Sequence, residues 1–162
     1  MAMIDDIATY LQAQSTLFTI GSDLGKQAML DSDSISNTFT SLYETAGVGG
    51  AEAFSGVADQ AERVFDRPGL QVLCRSTSYA TAASRAQTAY GLLDGMGMRT
   101  LPTSTGTVYL SVDAVQAPFS LGRDLNDRWI VATNYLMQRA RTVRYGSYFA
   151  NYTAGFMENA HA

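Results

Sequence analysis

The sequence predicts an α+β fold, a central mixed and mainly antiparallel sheet packed against two helices. Three observations predict it: an amphipathic segment at the N-terminus, a strand followed by a capped helix in the middle, and alternating strand-like segments in the last third. With 162 residues the chain is the size of one domain. Its hydrophobic fraction of 46% is enough for a chain of this size to bury about 70% of its unfolded surface.

Each element follows from local pattern. Ile4, Ile7, Ala8 and Leu11 recur at helical spacing behind Asp5 and Asp6, acids that favour a helix N-terminus. A short apolar run, Leu17 to Ile20, is ended by Gly21. Ser34 to Glu44 alternates and is rich in β-formers, a strand. Thr45 to Arg67 is a long Gly- and Ala-rich inter-strand loop containing GVGG, with one short helical turn between Ser55 and Phe65. Pro68 and Gly69 then open a strand in which Leu70, Val72 and Cys74 alternate with Gln71, Leu73 and Arg75. Ser78 caps a helix with an apolar stripe of Tyr79, Ala82, Ala83, Ala86, Tyr90 and Leu93, stopped by Gly95. Gly106 to Val112 is another strand, Ala114 to Asp127 a loop or irregular hairpin around Pro118 and Gly122, and Arg128 to Arg139 a long strand. Three or four strands and two helices give helix on sheet.

Residues 140–162 form a C-terminal arm distinct from the domain at 1–139. Tyr145, Tyr148, Phe149, Tyr152 and Phe156 would make a one-sided stripe on a helix, behind Arg139, Arg141 and Arg144, while Gly146, Asn151 and Gly155 argue against a solitary helix. An arm that orders on a neighbour fits both facts, and the plainer alternative is that these aromatics cap the domain's own core.

Composition narrows the function. One Cys excludes an intramolecular disulfide or a cysteine-based metal cluster, and a single His at position 161 leaves no His base in the folded body. No catalytic, metal or cofactor-binding residue is assigned and no cofactor is expected. Only 16% of residues are charged, against roughly 25% in typical soluble domains. Residues 1–66 carry ten acids against Lys26 and Arg63, whereas residues 67–162 carry nine Arg against five acids. A net charge of −4 divided in this way suits ordered self-assembly better than general nucleic-acid binding. The acidic N-terminus offers no secretory signal, and the longest uncharged stretch, Ile7 to Ser22, is shorter than a membrane helix needs, so a soluble protein of a reducing compartment is expected.

Motif by motif, the plain alternatives prevail over chemistry. GVGG at 47–50 lacks the Gly-Lys-Ser/Thr that completes a phosphate loop, so Gly47, Gly49, Gly50, Glu52 and Phe54 are candidates for a loop interface instead. Asp31, Asp33 and Glu44 fit no calcium-loop spacing and read as a solvated acidic edge. Arg139, Arg141 and Arg144 interleaved with Tyr145, Tyr148, Phe149, Tyr152 and Phe156 have the composition of a protein interface hot spot rather than of a nucleic-acid site.

Two stretches carry a resemblance. RPGLQVLCRSTSY at Arg67 to Tyr79 and LGRDLNDR at Leu121 to Arg128 resemble the tail terminator family of long-tailed bacteriophages, often labelled minor capsid or tail completion proteins. The order extends it: an N-terminal helix, a strand ending in Tyr43, Glu44, Thr45 and Gly47, a variable loop, the strand with Pro68, Gln71, Val72 and Arg75, a Ser-Tyr helix start and a Gly-Arg-Asp loop before the last strand. It covers residues 1 to about 139, and the extension from Ala140 departs from the family's short members. The charged residues of these motifs, Arg75, Arg123 and Asp124, join the interface candidates.

The resemblance implies a structural virion protein of the tail and neck, assembled in the host cytoplasm. Such a protein would form a ring, a hexamer in the family's manner, that caps the tail tube, ends its growth and joins the tail to the head connector. The implied partners are further copies of the chain, the tail tube protein and the head connector or stopper protein, with DNA passing through the lumen without sequence-specific binding and no membrane. A connector or stopper ring is the structural alternative. From another class, the alternative is a small ligand-binding or catalytic domain built on the 45–67 loop, which requires a deep polar pocket with clustered carboxylates.

Overall fold

Local rules account for both helices. The computed structural model describes residues 3–27, 36–48, 65–102 and 106–140, the side chain of Phe65 excepted. In α1 (Met3–Gln14), Ile4, Ile7, Ala8 and Leu11 are buried as their spacing requires, with Met3 and Tyr10 beside them. In α2 (Tyr79–Leu93), the Ser78 side chain accepts the Thr81 N–H at 3.4 Å, and the helix ends where the Asp94 N–H donates to the Tyr90 carbonyl before Gly95 turns left-handed at φ +71°. The buried stripe of α2 is Ala82, Arg85, Ala86, Ala89 and Leu93. This corrects the expected phase: Tyr79 is exposed, Tyr90 is half-buried, and Arg85 occupies a buried position on the stripe.

One curled, mixed sheet carries the rest. Its strands are β1 (Leu24–Lys26), β2 (Phe39–Val48), β3 (Phe65–Ser76), β4 (Met96–Leu101), β5 (Thr107–Ala114), β6 (Phe119–Arg123) and β7 (Trp129–Ala140). They lie in the order β1-β2-β3-β7-β5-β4, and β6 also pairs with β7. Among the described strands only β1 and β2 run parallel. The long strands β3 and β7 pair from Phe65 with Ala140 to Ser76 with Trp129. This register puts Leu70, Val72 and Cys74 on the same face as Tyr135, Thr133 and Val131. Leu42 from β2, and Tyr109 and Val112 from β5, complete that face, and α1 and α2 bury their stripes against it in one cluster. The Ala residues of α2 let its backbone approach β3 and β7 closely.

The expected α+β class is thus observed with more strand than the sequence signals. Among the described residues there are seven strands, and β1, β4 and β6 are the additions. The connection expected over Thr45 to Arg67 loses both ends to the sheet, because Thr45–Val48 continue β2 and Phe65–Arg67 begin β3. The helical turn expected between Ser55 and Phe65 lies outside the described residues except for Phe65, which is strand. Pro68 does not open its strand but sits inside it, at a place where a missing N–H is tolerated. It appears in neither pairing register, beside the irregularity between Thr45 and Val48 of β2. Gly47 is required there, since a Cβ at that position would stand 1.8 Å from the Arg67 carbonyl oxygen.

Several polar side chains brace the interior. The Arg85 Nε donates to Thr40 Oγ1 at 3.1 Å, its Nη1 to Asp23 Oδ2 at 3.4 Å and its Nη2 to the Asp23 carbonyl at 3.3 Å, while its guanidinium lies 5.2 Å from the centre of the Phe18 ring. The Tyr109 hydroxyl donates to Asp6 Oδ2 at 2.9 Å, joining β5 to α1. Burial, reinforced by the Asp6 carboxylate, pushes the Tyr109 hydroxyl's pKa upward. Asp5 and Lys26 form an ion pair between α1 and β1.

Candidate protein interface

The motif at Leu121 to Arg128 folds into a hairpin tip between β6 and β7, organised by one carboxylate. Asp124 Oδ1 accepts the backbone N–H of Asn126 and of Arg128, both at 2.9 Å, and Oδ2 accepts Arg128 Nε at 2.7 Å. The Asp124 N–H donates to the Arg128 carbonyl at 2.9 Å, and the Asp127 N–H to the Asp124 carbonyl at 3.0 Å. A short acid at the start of a turn is suited to this because its side chain reaches backbone donors two to four residues ahead. Burial alone would raise the Asp124 pKa, but donors from Arg128 and Asn126 outweigh it and hold the carboxyl below its ordinary value.

The tip is closed on its outer side by stacking. The Arg123 guanidinium sits 4.4 Å from the Trp129 ring centre, Tyr79 meets Trp129 edge-on at 5.3 Å, and Arg123 Nη1 donates to Asp127 Oδ1 at 2.5 Å. Leu125 stands at the apex, 98% exposed. Earlier in the same stretch of chain, Val115, Phe119 and Leu121 are 67%, 37% and 54% exposed. These four are among the ten large hydrophobic side chains exposed in the described residues, so an unusual share of the apolar surface lies between positions 115 and 125.

The structure sorts the candidates read from sequence. Arg123 and Asp124 come together in the tip, but Asp124 is directed inward to the loop's own donors and Arg123 lies over the Trp129 ring. Arg75 is fully buried 5.5 Å from the centre of the Phe39 ring, away from any surface of the single chain. Arg139, near the end of β7, pairs with Asp66 at 3.7 Å. Gly47 belongs to β2 rather than to a loop. Gly49, Gly50, Glu52, Phe54, Arg141, Arg144, Tyr145, Tyr148, Phe149, Tyr152 and Phe156 lie outside the described residues. Sequence reading passed over Leu125, Leu121 and Phe119. The signal for Leu125 was a lone large apolar residue inside a turn of polar residues, where no core is available to it.

Elsewhere the described surface offers little chemistry. A shallow depression of about 200 Å³ is lined by Arg67, Ser111, Asp113, Leu136, Met137 and Gln138, with a single carboxylate among them. Among the described residues no group of three His, Cys, Asp or Glu side chains could hold a metal, and no helix is long and apolar enough to cross a membrane. Burial pushes the Cys74 thiol up to about 11, only partly opposed by Thr40 and Arg85, so it is a poor nucleophile.

Comparison with known proteins adds two findings. The family model described as bacteriophage tail terminator protein matches residues 53–141. Among solved structures, a chain from the virion of a native gene transfer agent particle shares the fold at a TM-score of 0.55 and 15% identity, over 86% of this chain and 96% of that one. No curated protein sequence matches.

Proposed function

The chain belongs to the bacteriophage tail terminator family, and from that premise we propose that it forms a ring that caps the tail tube, ends the tube's growth and joins the tail to the head connector. The observation that carries this reading is the run of bare apolar side chains between 115 and 125, which ends in Leu125 on a tip held by its own hydrogen bonds. A preformed apolar patch beside Arg, Trp and Tyr has the composition of an interface hot spot. When such a patch meets a different surface of the next copy, the contact is head-to-tail and closes into a ring when the rotation allows.

On this reading the ring is a hexamer, its partners are the tail tube protein and the head connector or stopper protein, and DNA passes through its lumen without sequence-specific grip. Its place is the neck of the virion, after assembly in the host cytoplasm, and it has no enzymatic role. The 49–64 segment and the arm after Ala140 supply further contacts, to tube, connector or neighbouring subunits. The rival catalytic reading has less support, because the depression at Arg67 and Asp113 brings no second carboxylate.

Two measurements test the proposal. Light scattering with negative-stain imaging of the purified protein, alone and with tail tubes, should give rings with a DNA-sized hole. A strictly monomeric species in both conditions would overturn it. Phage lacking the gene should make tails of uncontrolled length, and normal tails would equally defeat the terminator role.

A further inference from the structure

Among the described residues the sheet leaves the position outside β6 unfilled. One flank of β7 is filled by β6 beside residues 129–132 and by β5 beside residues 135–139. β4 adds a further strand outside β5, but among the described residues no strand adds outside β6. The open position is about as long as β6, five residues. Natural sheets guard such edges with charge, because a bare edge recruits a strand from another chain. Here the run from Ala114 to Gly122 carries no charged side chain, and Phe119 and Leu121 are exposed on it.

We propose that this position accepts residues 145–156 of a second copy of the chain. The inference rests on the ring reading above and deepens it, naming the acceptor for the arm. Three features select this occupant. The first is chemical match. Tyr145 to Met157 is uncharged and holds five aromatic residues, the types that pair well on a half-covered strand, so neither side loses a solvated charge on contact.

The second feature is reach. β7 ends at Ala140, opposite Phe65, whereas β6 lies beside the other end of β7, where Trp129 faces Arg123. At about 3.3 Å per residue, returning along β7 from Ala140 to the level of Trp129 takes roughly 11 residues of extended chain. β6 begins opposite Ala132, so a chain folding back on itself would reach the start of that strand only at about residue 148, before any residues are spent on the turn, and Tyr145 would fall short. A neighbouring copy imposes no such limit. The third feature is the irregularity between Ser120 and Gly122, which inserts Leu121 as an extra residue opposite β7 and leaves it projecting. The Gly122 N–H is already bonded to Ser120 Oγ at 3.2 Å. Backbone pairing is therefore confined to the start of β6, and most of the affinity comes from aromatic side chains packing on Phe119, Leu121 and Leu125.

Cross-linking tests this directly. Chains bearing Leu121→Cys and differently tagged chains bearing Tyr148→Cys are mixed, assembled and mildly oxidised. The native Cys74 is buried and stays out of the reaction. The expected product is a disulfide joining the two tags. Absence of that product, or a disulfide formed only inside a doubly substituted single chain, overturns the proposal. In parallel, Phe119→Ser/Leu121→Ser and Tyr148→Ser/Phe149→Ser should each raise the concentration for half-assembly by about tenfold or more, the scale of one lost hot spot. Both should keep the parent's circular dichroism. If the arm variant loses assembly while the β6 variant keeps it, the acceptor is wrong and the ring reading survives. If the unsubstituted chain forms no ring even with tail tubes, the ring reading itself fails.

Discussion

The core face of the sheet and the tip of the β6–β7 hairpin treat polar and apolar side chains in opposite ways. Under the helices, Asp6, Arg85 and the Tyr109 hydroxyl are buried, and each is tied to a partner on another element. At the tip, the carboxylate and the guanidinium of Asp124 and Arg128 turn inward, while Leu121 and Leu125 face solvent. In the first region polar groups fix how the elements of one chain meet. In the second they stiffen a loop so that apolar groups are presented outward. The difference implies that substitutions in the core should cost stability, whereas substitutions at the apex should cost only association.

The largest effect is expected at Arg85. It bridges α2 to Thr40, 45 positions earlier, and to Asp23, 62 positions earlier, and its stem and guanidinium pack on Phe18. Arg85→Ala removes all of these contacts and leaves Asp23 without its cation. The expected loss is roughly 3 kcal/mol, read in calorimetry as a fall in Tm of roughly 6 to 12 °C. An unchanged Tm would mean that the bridge contributes nothing net.

Tyr109→Phe comes next. The Asp6 carboxylate is fully buried, and its Oδ1 has no hydrogen-bond partner among the described residues, so the Tyr109 hydroxyl is the donor that matters. Removing it should cost about 2 kcal/mol, the penalty for stranding a buried acceptor. Adding Leu at position 6 in the same chain should recover part of that loss in urea melts, since removing both polar partners costs less than removing one.

These two sites also show what the sequence makes legible. β3, β7 and both helices are readable because each is long enough to display its period, and the register of β3 with β7 then follows the alternation. β1, β4 and β6 are three to six residues long and each contains a Gly, so their strand state comes from neighbours distant in sequence rather than from pattern. Arg85 escaped notice for the same reason: its phase on α2 is correct for burial, but a charged residue is acceptable there only because Thr40 and Asp23 arrive from elsewhere. At the tip, the Gly-Arg-Asp motif was visible as special. Its inward direction was not, because that depends on the backbone donors of Asn126 and Arg128 converging on one carboxylate.

Asp124 tests the tip as a built loop. Its folded-state pKa is lowered from 3.8, so it adds stability above that pH and the contribution is lost as pH falls through the lower folded value. Trp129, the chain's single Trp, lies 4.4 Å from Arg123 in the same tip and should report the loosening as a fluorescence change below about pH 4. Asp124→Ala should show that change already at neutral pH and lose about 1 to 2 kcal/mol, less than either core substitution. A pH profile identical to the parent's would mean that the loop is held by something other than this carboxylate.

The smallest effect on stability, and the sharpest contrast, is expected at Leu125. A side chain 98% exposed in the single chain contributes almost nothing to its folding, so Leu125→Ser should change the unfolding free energy by less than about 0.5 kcal/mol. If the apex is an interface anchor, the same substitution should nevertheless weaken assembly about tenfold, because a large apolar side chain seated in a neighbour's pocket gains its burial only on association. Urea melts of the monomer beside a light-scattering titration of assembly separate the two quantities. Equal assembly by parent and variant would return Leu125 to the class of incidental surface residues and would break the contrast between core and tip. A loss of assembly with an unchanged melt would show that the rigid loop under it serves contacts made beyond the chain.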